Sequence, residues 1–141
     1  MVLPLSFGID MNVLVIGSGG REHAICRSFA KSPQLGRLFC ANGNAGIASV
    51  ADCVPIKPDD IAGLAAFAEE KNIDLTFVGG ETSLALGIVD EFEERGLKII
   101  GPNRAAAQLE ASKSFAKDFM ARHGVPTAKF VTAHSPGFAI L

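Results

Sequence analysis

The chain has 141 residues, of which 48% are hydrophobic and 20% are charged, and its formal net charge is −2. This balance is typical of one compact globular domain and excludes a disordered chain. Lysine and arginine are scattered, and no apolar run reaches the roughly 20 residues that cross a bilayer. We therefore expect neither nucleic acid nor a membrane as a partner.

The first ten residues are apolar but carry neither the basic start nor the small-residue cleavage site of a signal peptide. Met11 directly precedes a strong strand pattern. We interpret residues 1–10 as an extension or leader ahead of the domain.

The three cysteines, Cys26, Cys40 and Cys53, are odd in number and form no Cys-x-x-Cys pair. A disulfide framework calls for an even count in a smaller secreted chain. Reduced core thiols in a cytoplasmic protein are therefore expected.

Short apolar runs alternate with helical patterns over residues 11–102. Residues 12–16 predict a buried strand, and residues 21–31 predict a helix that Ser32-Pro33 stops. Further strands are predicted at residues 37–41, 53–56, 74–78 and 98–100. Alternating strands and helices predict an α/β fold, here a Rossmann-like parallel sheet flanked by helices.

Two apolar stripes between those strands have the i, i+3, i+4, i+7 spacing of one helix face. The first stripe, which Asp60 can cap, is Ile61, Leu64, Ala65 and Ala68. The second stripe, which Arg95-Gly96 closes, predicts one further helix and is Ala85, Ile88, Val89 and Phe92.

The alternation of strand and helix patterns ends after Pro102. Residues 103–109 and 112–123 predict two helices, and residues 128–131 predict a possible strand. The apolar end of the sequence has no cap, so we expect the natural polypeptide to continue. We assign residues 103–141 to linker helices and the start of a truncated second domain.

A glycine loop, Gly17-Ser18-Gly19-Gly20-Arg21, joins the first strand to the first helix. Glycines let the backbone approach an anion, and the helix N-terminus offers free N–H groups and a partial positive charge. Arg21 can add a permanent charge to such a site. The alternatives are a tight turn without a ligand and a solvated first turn of the helix.

Dinucleotide binding is disfavoured at this loop. The Gly-x-Gly-x-x-Gly pattern would place its third glycine where Glu22 stands. The acid that would bind a ribose after the second strand is missing too, because Cys40-Ala41-Asn42 occupies that place.

Two other glycine-bearing loops are expected beside the first one. They are Gly79-Gly80-Glu81-Thr82-Ser83, after the strand at residues 74–78, and Asn42-Gly43-Asn44-Ala45-Gly46, after the second strand. Ligands of doubly wound sheets bind beyond the carboxyl ends of the strands, where the strand order reverses. Convergence of the three loops there predicts a site for a small phosphorylated sugar.

The sequence around these loops resembles the glycinamide ribonucleotide synthetase family, also called phosphoribosylamine–glycine ligases. The resemblance runs from Met11 to about Phe130. It rests on NVLVIGSGGREHAI at 12–25, NGNAG at 42–46, IDLTFVGGETSLALGIVD at 73–90 and KIIGPNRAAAQLEASKSFAKDFMARHGVPTA at 98–128. It implies an ATP-dependent ligase of purine biosynthesis that joins 5-phosphoribosylamine to glycine through a glycyl phosphate.

The resemblance also implies a division of labour. The first domain would supply phosphoribosyl-binding loops, and a downstream ATP-grasp domain would bind ATP and magnesium or manganese, so this piece alone should be inactive. Lys113 would lie at the edge of the ATP site, and no metal ligand is expected in this chain. The implied substrate-binding residues are Gly17, Gly19, Gly20, Arg21, Glu22, Asn44, Ala45, Gly46, Gly80 and Glu81.

Two positions depart from the family pattern, which usually has proline at the places of Asn42 and Gly80. Proline fixes φ, so both changes are expected to loosen a loop. Two alternatives remain open at this point: a non-catalytic sugar-phosphate-binding module, and the first domain of another ATP-grasp ligase.

Overall fold

The computed structural model describes residues 10–133 and contains one five-stranded parallel sheet. Its strand order is β3-β2-β1-β4-β5, so the strand order reverses between the first strand and the fourth. The α/β, Rossmann-like prediction is confirmed. The strands are β1 Met11–Gly17, β2 Leu35–Asn42, β3 Asp52–Val54, β4 Leu75–Val78 and β5 Ile99–Ile100.

Helices connect the strands and follow the last one. Side chains cap three of them: Asp60, Asn103 and Ser112 each accept a hydrogen bond from a first-turn N–H. Among the described residues, no helix is long and apolar enough to cross a membrane. The helices are α1 Gly20–Phe29, α2 Ile61–Glu70, α3 Glu81–Leu86, α4 Ile88–Glu94, α5 Arg104–Ala111 and α6 Lys113–Arg122, with a 3-10 helix at Ile47–Ser49.

The core has two layers because β1 is buried on both sides, as expected of a central parallel strand. One layer packs the sheet against α2, α3 and α4, and its buried residues include Leu14, Ile16, Leu64, Ile88 and Phe92. The other packs the sheet against α1 and the 3-10 helix, and its buried residues are Val13, Val15, Cys26, Leu38, Cys40 and Ile47.

The predicted single helix over the second apolar stripe is wrong. Gly87 has φ +89°, a left-handed conformation that ends α3 and begins α4. The backbone of Gly87 also faces Arg104 closely, since a Cβ there would lie 2.8 Å from Nε. The apolar spacing continues across the break, and for that reason periodicity alone did not reveal it.

The possible strand at residues 128–131 is also wrong. These residues belong to no strand or helix, and the sheet ends at β5. The two helices predicted after Pro102 are confirmed as α5 and α6.

Candidate functional site

Three loops meet where β1, β2 and β4 end. Gly43 N–H donates to Gly17 O at 3.2 Å, and Gly79 N–H donates to Ile16 O at 2.9 Å. Because both loops are tied to the end of β1, the predicted juxtaposition of the three loops is confirmed. It lies at the topological switch point of the sheet.

The side chain of Glu22 lies between the first loop and the third, and the residue is only 5% exposed. Its Oε2 accepts the Gly19 N–H at 2.6 Å, and its Oε1 accepts Arg21 Nε–H at 3.1 Å. A Cβ on Gly17 would lie 2.6 Å from Glu22 Cγ, and one on Gly79 would lie 2.2 Å from Oε1. The glutamate therefore fills the space that these two glycines leave, and it joins the first loop to the third.

Positive charge and free N–H groups lie beside this carboxylate. Gly20 and Arg21 begin α1, so their amides have no partner within the helix. In the described part of the chain, neither amide donates a hydrogen bond to another protein group. The Arg21 side chain is 59% exposed, and Glu22 holds it through Nε alone. These donors are suited to a phosphate group.

The second loop is held to the first by Asn44. Its Nδ2 donates to Ser18 O at 2.7 Å, while its Oδ1 accepts the Ile47 N–H at 2.9 Å. Gly46 lies against His23, because a Cβ there would be 2.8 Å from the ring atom Cε1. Ala45 is exposed between them. Asn44 thus fixes the shape of the loop with its whole amide group.

Asn42 begins this loop in a left-handed conformation, with φ +67°, and Gly43 follows with φ +61°. Proline cannot adopt that conformation because its ring holds φ near about −65°. Asn42 therefore permits a turn that proline at this place could not form.

The third loop contains two unlike glycines. Gly79 is buried against Glu22, whereas a Cβ on Gly80 would meet nothing within 4 Å. Glu81 is exposed at the start of α3, and the Ser83 hydroxyl is buried and donates to Pro58 O at 2.6 Å. Gly79 was missed as a site residue, although its place directly after a buried strand was a signal for close packing.

The Lys113 side chain is not joined to the three loops by any polar contact of the described residues. It is exposed at the start of α6, and within residues 10–133 it makes no ion pair or hydrogen bond with the loop residues. The described residues also contain no group of three or more His, Cys, Asp or Glu side chains placed to hold a metal ion.

Two buried thiols lie beneath the first loop. Cys40 Sγ donates to Gly17 O at 3.3 Å, and Cys26 is buried in the same core layer. The interaction between the two thiols lowers the pKa of Cys26 and raises the pKa of Cys40, which burial raises further. Cys26 and Cys40 are buried in the core, and Cys53 is the exposed thiol.

Comparison with known protein sequences identifies a family. The sequence model of the family described as "Phosphoribosylglycinamide synthetase, N domain" matches residues 11–110. Phosphoribosylamine–glycine ligase of Vibrio vulnificus is 57% identical over 122 residues, which cover 85% of this chain and 28% of that protein. The chain therefore spans less than a third of the length of such a relative.

Solved structures share the fold. Phosphoribosylamine–glycine ligase of Thermotoga maritima superposes with a TM-score of 0.66 at 30% identity, covering 90% of this chain and 28% of that one. N5-carboxyaminoimidazole ribonucleotide synthetase of Thermus thermophilus gives a TM-score of 0.68 at 20% identity, covering 91% and 34%. The second likeness establishes the fold alone.

Proposed function

The chain belongs to the phosphoribosylglycinamide synthetase N-domain family, and from that premise we propose that it is the substrate-binding first domain of a phosphoribosylamine–glycine ligase. The complete enzyme joins 5-phosphoribosylamine and glycine, with ATP cleaved to ADP and phosphate, in purine biosynthesis. The observation that carries the proposal is the meeting of three glycine loops at the end of β1, where Glu22 packs against the first and third loops beside the free donors of Arg21.

In this proposal the phosphate of the ribosylamine lies at the start of α1. The amides of Gly20 and Arg21 and the outer guanidinium nitrogens of Arg21 donate to it. The third loop contributes Glu81, an exposed carboxylate suited to sugar hydroxyls or an amine, and the open side of Gly80 leaves room for the sugar. The second loop, Asn44 to Gly46, borders the sugar on the opposite side.

The role of the domain is to fix the position of the ribosylamine nitrogen. In the complete enzyme, phosphorylation of the glycine carboxylate activates that carbon for attack by the nitrogen. A nucleophile held in place by its phosphate reacts without a further loss of translational and rotational freedom. This domain therefore contributes positioning, and the chain alone is inactive.

We assign ATP and magnesium or manganese mainly to the region of the relatives that this chain does not span. The side chains of residues 10–133 do not offer a metal-binding set. We propose residues 11–102 as the Rossmann-like domain and residues 103–141 as linker helices and the start of an ATP-grasp domain. Lys113, at the start of α6, would border the ATP site, and the location would be cytoplasmic.

Thermal unfolding of the 141-residue chain with glycinamide ribonucleotide tests this proposal. Because the sequence has no tryptophan or tyrosine, circular dichroism is the suitable probe. A ligand at ten times its Kd stabilises the folded state by about 1.4 kcal/mol, a rise of several degrees in Tm. NAD, the ligand of the disfavoured dinucleotide reading, should give no rise.

A matched pair of variants tests the site. Arg21→Ala should abolish the rise in Tm, because it removes the phosphate-facing guanidinium. Arg27→Ala changes an exposed arginine in the last turn of the same helix and should preserve the rise. Equal stabilisation of both variants, or none of the wild type at millimolar ligand, would contradict the proposed site.

A further inference from the structure

The buried carboxylate of Glu22 occupies a place that an anionic ligand could have used. In a glycine loop ahead of a helix, the first N–H groups are the usual donors to phosphate. Here the Gly19 N–H is already bonded to Glu22 Oε2 at 2.6 Å, a short charge-assisted hydrogen bond. The Gly19 N–H is therefore not available to the phosphate of a ligand while this bond is made, whereas the amides of Gly20 and Arg21 and the Arg21 side chain are.

The same carboxylate packs against both the first loop and the third. Its carbon and oxygen atoms fill the space beside Gly17 and Gly79, and its second oxygen holds Arg21 through Nε. Holding Nε leaves the outer guanidinium nitrogens to face solvent. The first and third loops and the arginine are therefore arranged by an anion that belongs to the protein itself.

We propose that Glu22 is a positioning residue that also limits phosphate affinity: its carboxylate shapes the loops, and its negative charge opposes the ligand's phosphate. This inference rests on the proposed function, since it concerns the same site. It assigns Glu22 a role without direct contact to the sugar phosphate, in contrast to the substrate-binding role implied by the family resemblance. Weak binding through phosphate alone would leave recognition to the amine and sugar, and so favour the complete substrate over other phosphates.

Two substitutions separate the charge of Glu22 from its geometry. Glu22→Gln keeps the length of the side chain and an oxygen for the Gly19 N–H, but removes the charge. If the phosphate lies about 6 Å from the Glu22 carboxylate, the screened Coulomb repulsion between the two charges raises the Kd roughly fivefold. The lost contact to Arg21 weighs less, because the guanidinium end of this pair is 59% exposed and stays hydrated without it. Glu22→Gln should therefore bind ribose 5-phosphate roughly fivefold more tightly.

Glu22→Asp keeps the charge but shortens the side chain, so the carboxylate no longer reaches the Gly19 N–H from the same place. Affinity should then fall by several-fold. A residue with a purely structural role would weaken binding in both variants, and a residue that contacts the ligand would weaken it in Glu22→Gln. Only the proposed combination of roles changes the affinity of the two variants in opposite directions.

Isothermal titration calorimetry of the wild type and both variants with ribose 5-phosphate gives the test. Tighter binding by Glu22→Gln and weaker binding by Glu22→Asp supports the proposal. If the wild type binds and Glu22→Gln binds equally or more weakly, or Glu22→Asp binds as the wild type does, the Glu22 proposal is overturned while the proposed function stands. Binding by Glu22→Gln alone supports the charge effect and counts against the proposed function. Absence of binding in all three proteins overturns both.

Amide NMR of the wild-type chain covers the case in which a variant does not fold. During titration with ribose 5-phosphate, the Gly20 and Arg21 amide signals should shift, and the Gly19 signal should stay nearly constant because Glu22 keeps its N–H. A Gly19 shift as large as that of Gly20 would show that ligand replaces the carboxylate, and would overturn the proposal.

Discussion

Replacing Gly79 by alanine should destabilise the fold, whereas the same change at Gly80 should not. A Cβ on Gly79 would lie 2.2 Å from Glu22 Oε1 and 2.4 Å from Cγ, whereas a Cβ on Gly80 would meet nothing within 4 Å. Neither glycine has the positive φ that would itself exclude alanine. The difference between the two variants therefore measures only the packing of the glutamate.

The loss of stability expected in Gly79→Ala follows from the packing and the hydrogen bond that Glu22 would lose. Overpacking a tight site costs about 1–3 kcal/mol, and displacing the carboxylate strains the bond to the Gly19 N–H, worth about 1.5–3 kcal/mol to a charged group. The side chains around position 79 can relax in part, so the two costs do not add fully. We therefore expect Gly79→Ala to lower the free energy of unfolding by about 2–4 kcal/mol. Gly80→Ala should be neutral, or stabilising by about 0.5 kcal/mol through the unfolded chain.

Urea unfolding followed by circular dichroism at 222 nm measures both free energies of unfolding. The double variant Gly79→Ala/Glu22→Ala is the internal control, since removing the glutamate side chain removes the clash and the two substitutions should be far from additive. Equal stability of the two glycine variants, or strict additivity in the double variant, would refute the proposed packing of Glu22 against the third loop.

Three further predictions concern the second loop, the core and the thiols. Asn42→Pro should lower the free energy of unfolding in urea by more than about 3 kcal/mol, because φ at this position is +67°. Asn42→Gly should stay within about 1 kcal/mol of the wild type. A proline variant as stable as the wild type would contradict the left-handed conformation of Asn42. Thr76 is 1% exposed, and its hydroxyl has no hydrogen-bond partner among the described residues. Thr76→Val should therefore raise the free energy of unfolding by about 1 kcal/mol. A clear loss of stability would show that the hydroxyl does have a hydrogen-bond partner. N-ethylmaleimide should label Cys53 rapidly in the native protein and leave Cys26 and Cys40 unlabelled by mass spectrometry, whereas fast labelling of two or three thiols would contradict their burial.

The architecture could be predicted because it depends on patterns that single sequences carry well. The apolar runs at residues 12–16 and 74–78 are strands that pair with each other, as the alternation of elements indicated. The helix starts at Asp60, Asn103 and Ser112 were legible because each side chain bonds its own first turn. Gly87 was not, since one glycine in an amphipathic pattern is compatible with either a continuous helix or a break.

The arrangement of the site could be predicted only in part from the sequence. The sequence placed Glu22 where a third glycine would stand, and this disfavoured a dinucleotide. It could not show that the carboxylate turns back to Gly19 and fills the space beside Gly79, because that contact joins residues 57 positions apart, from Glu22 to Gly79. Likewise, Asn42 could be recognised as a departure from the family but not as a left-handed residue. Both depend on tertiary packing.

Amide chemical-shift mapping with glycinamide ribonucleotide tests the central claim most directly, namely that the three loops form one sugar-phosphate site. We predict that the amides of Gly20, Arg21, Asn44 and Gly80 shift together with a single Kd, while that of Lys113 stays unchanged. Shifts confined to residues outside the three loops, or no shift at saturating ligand, would contradict it.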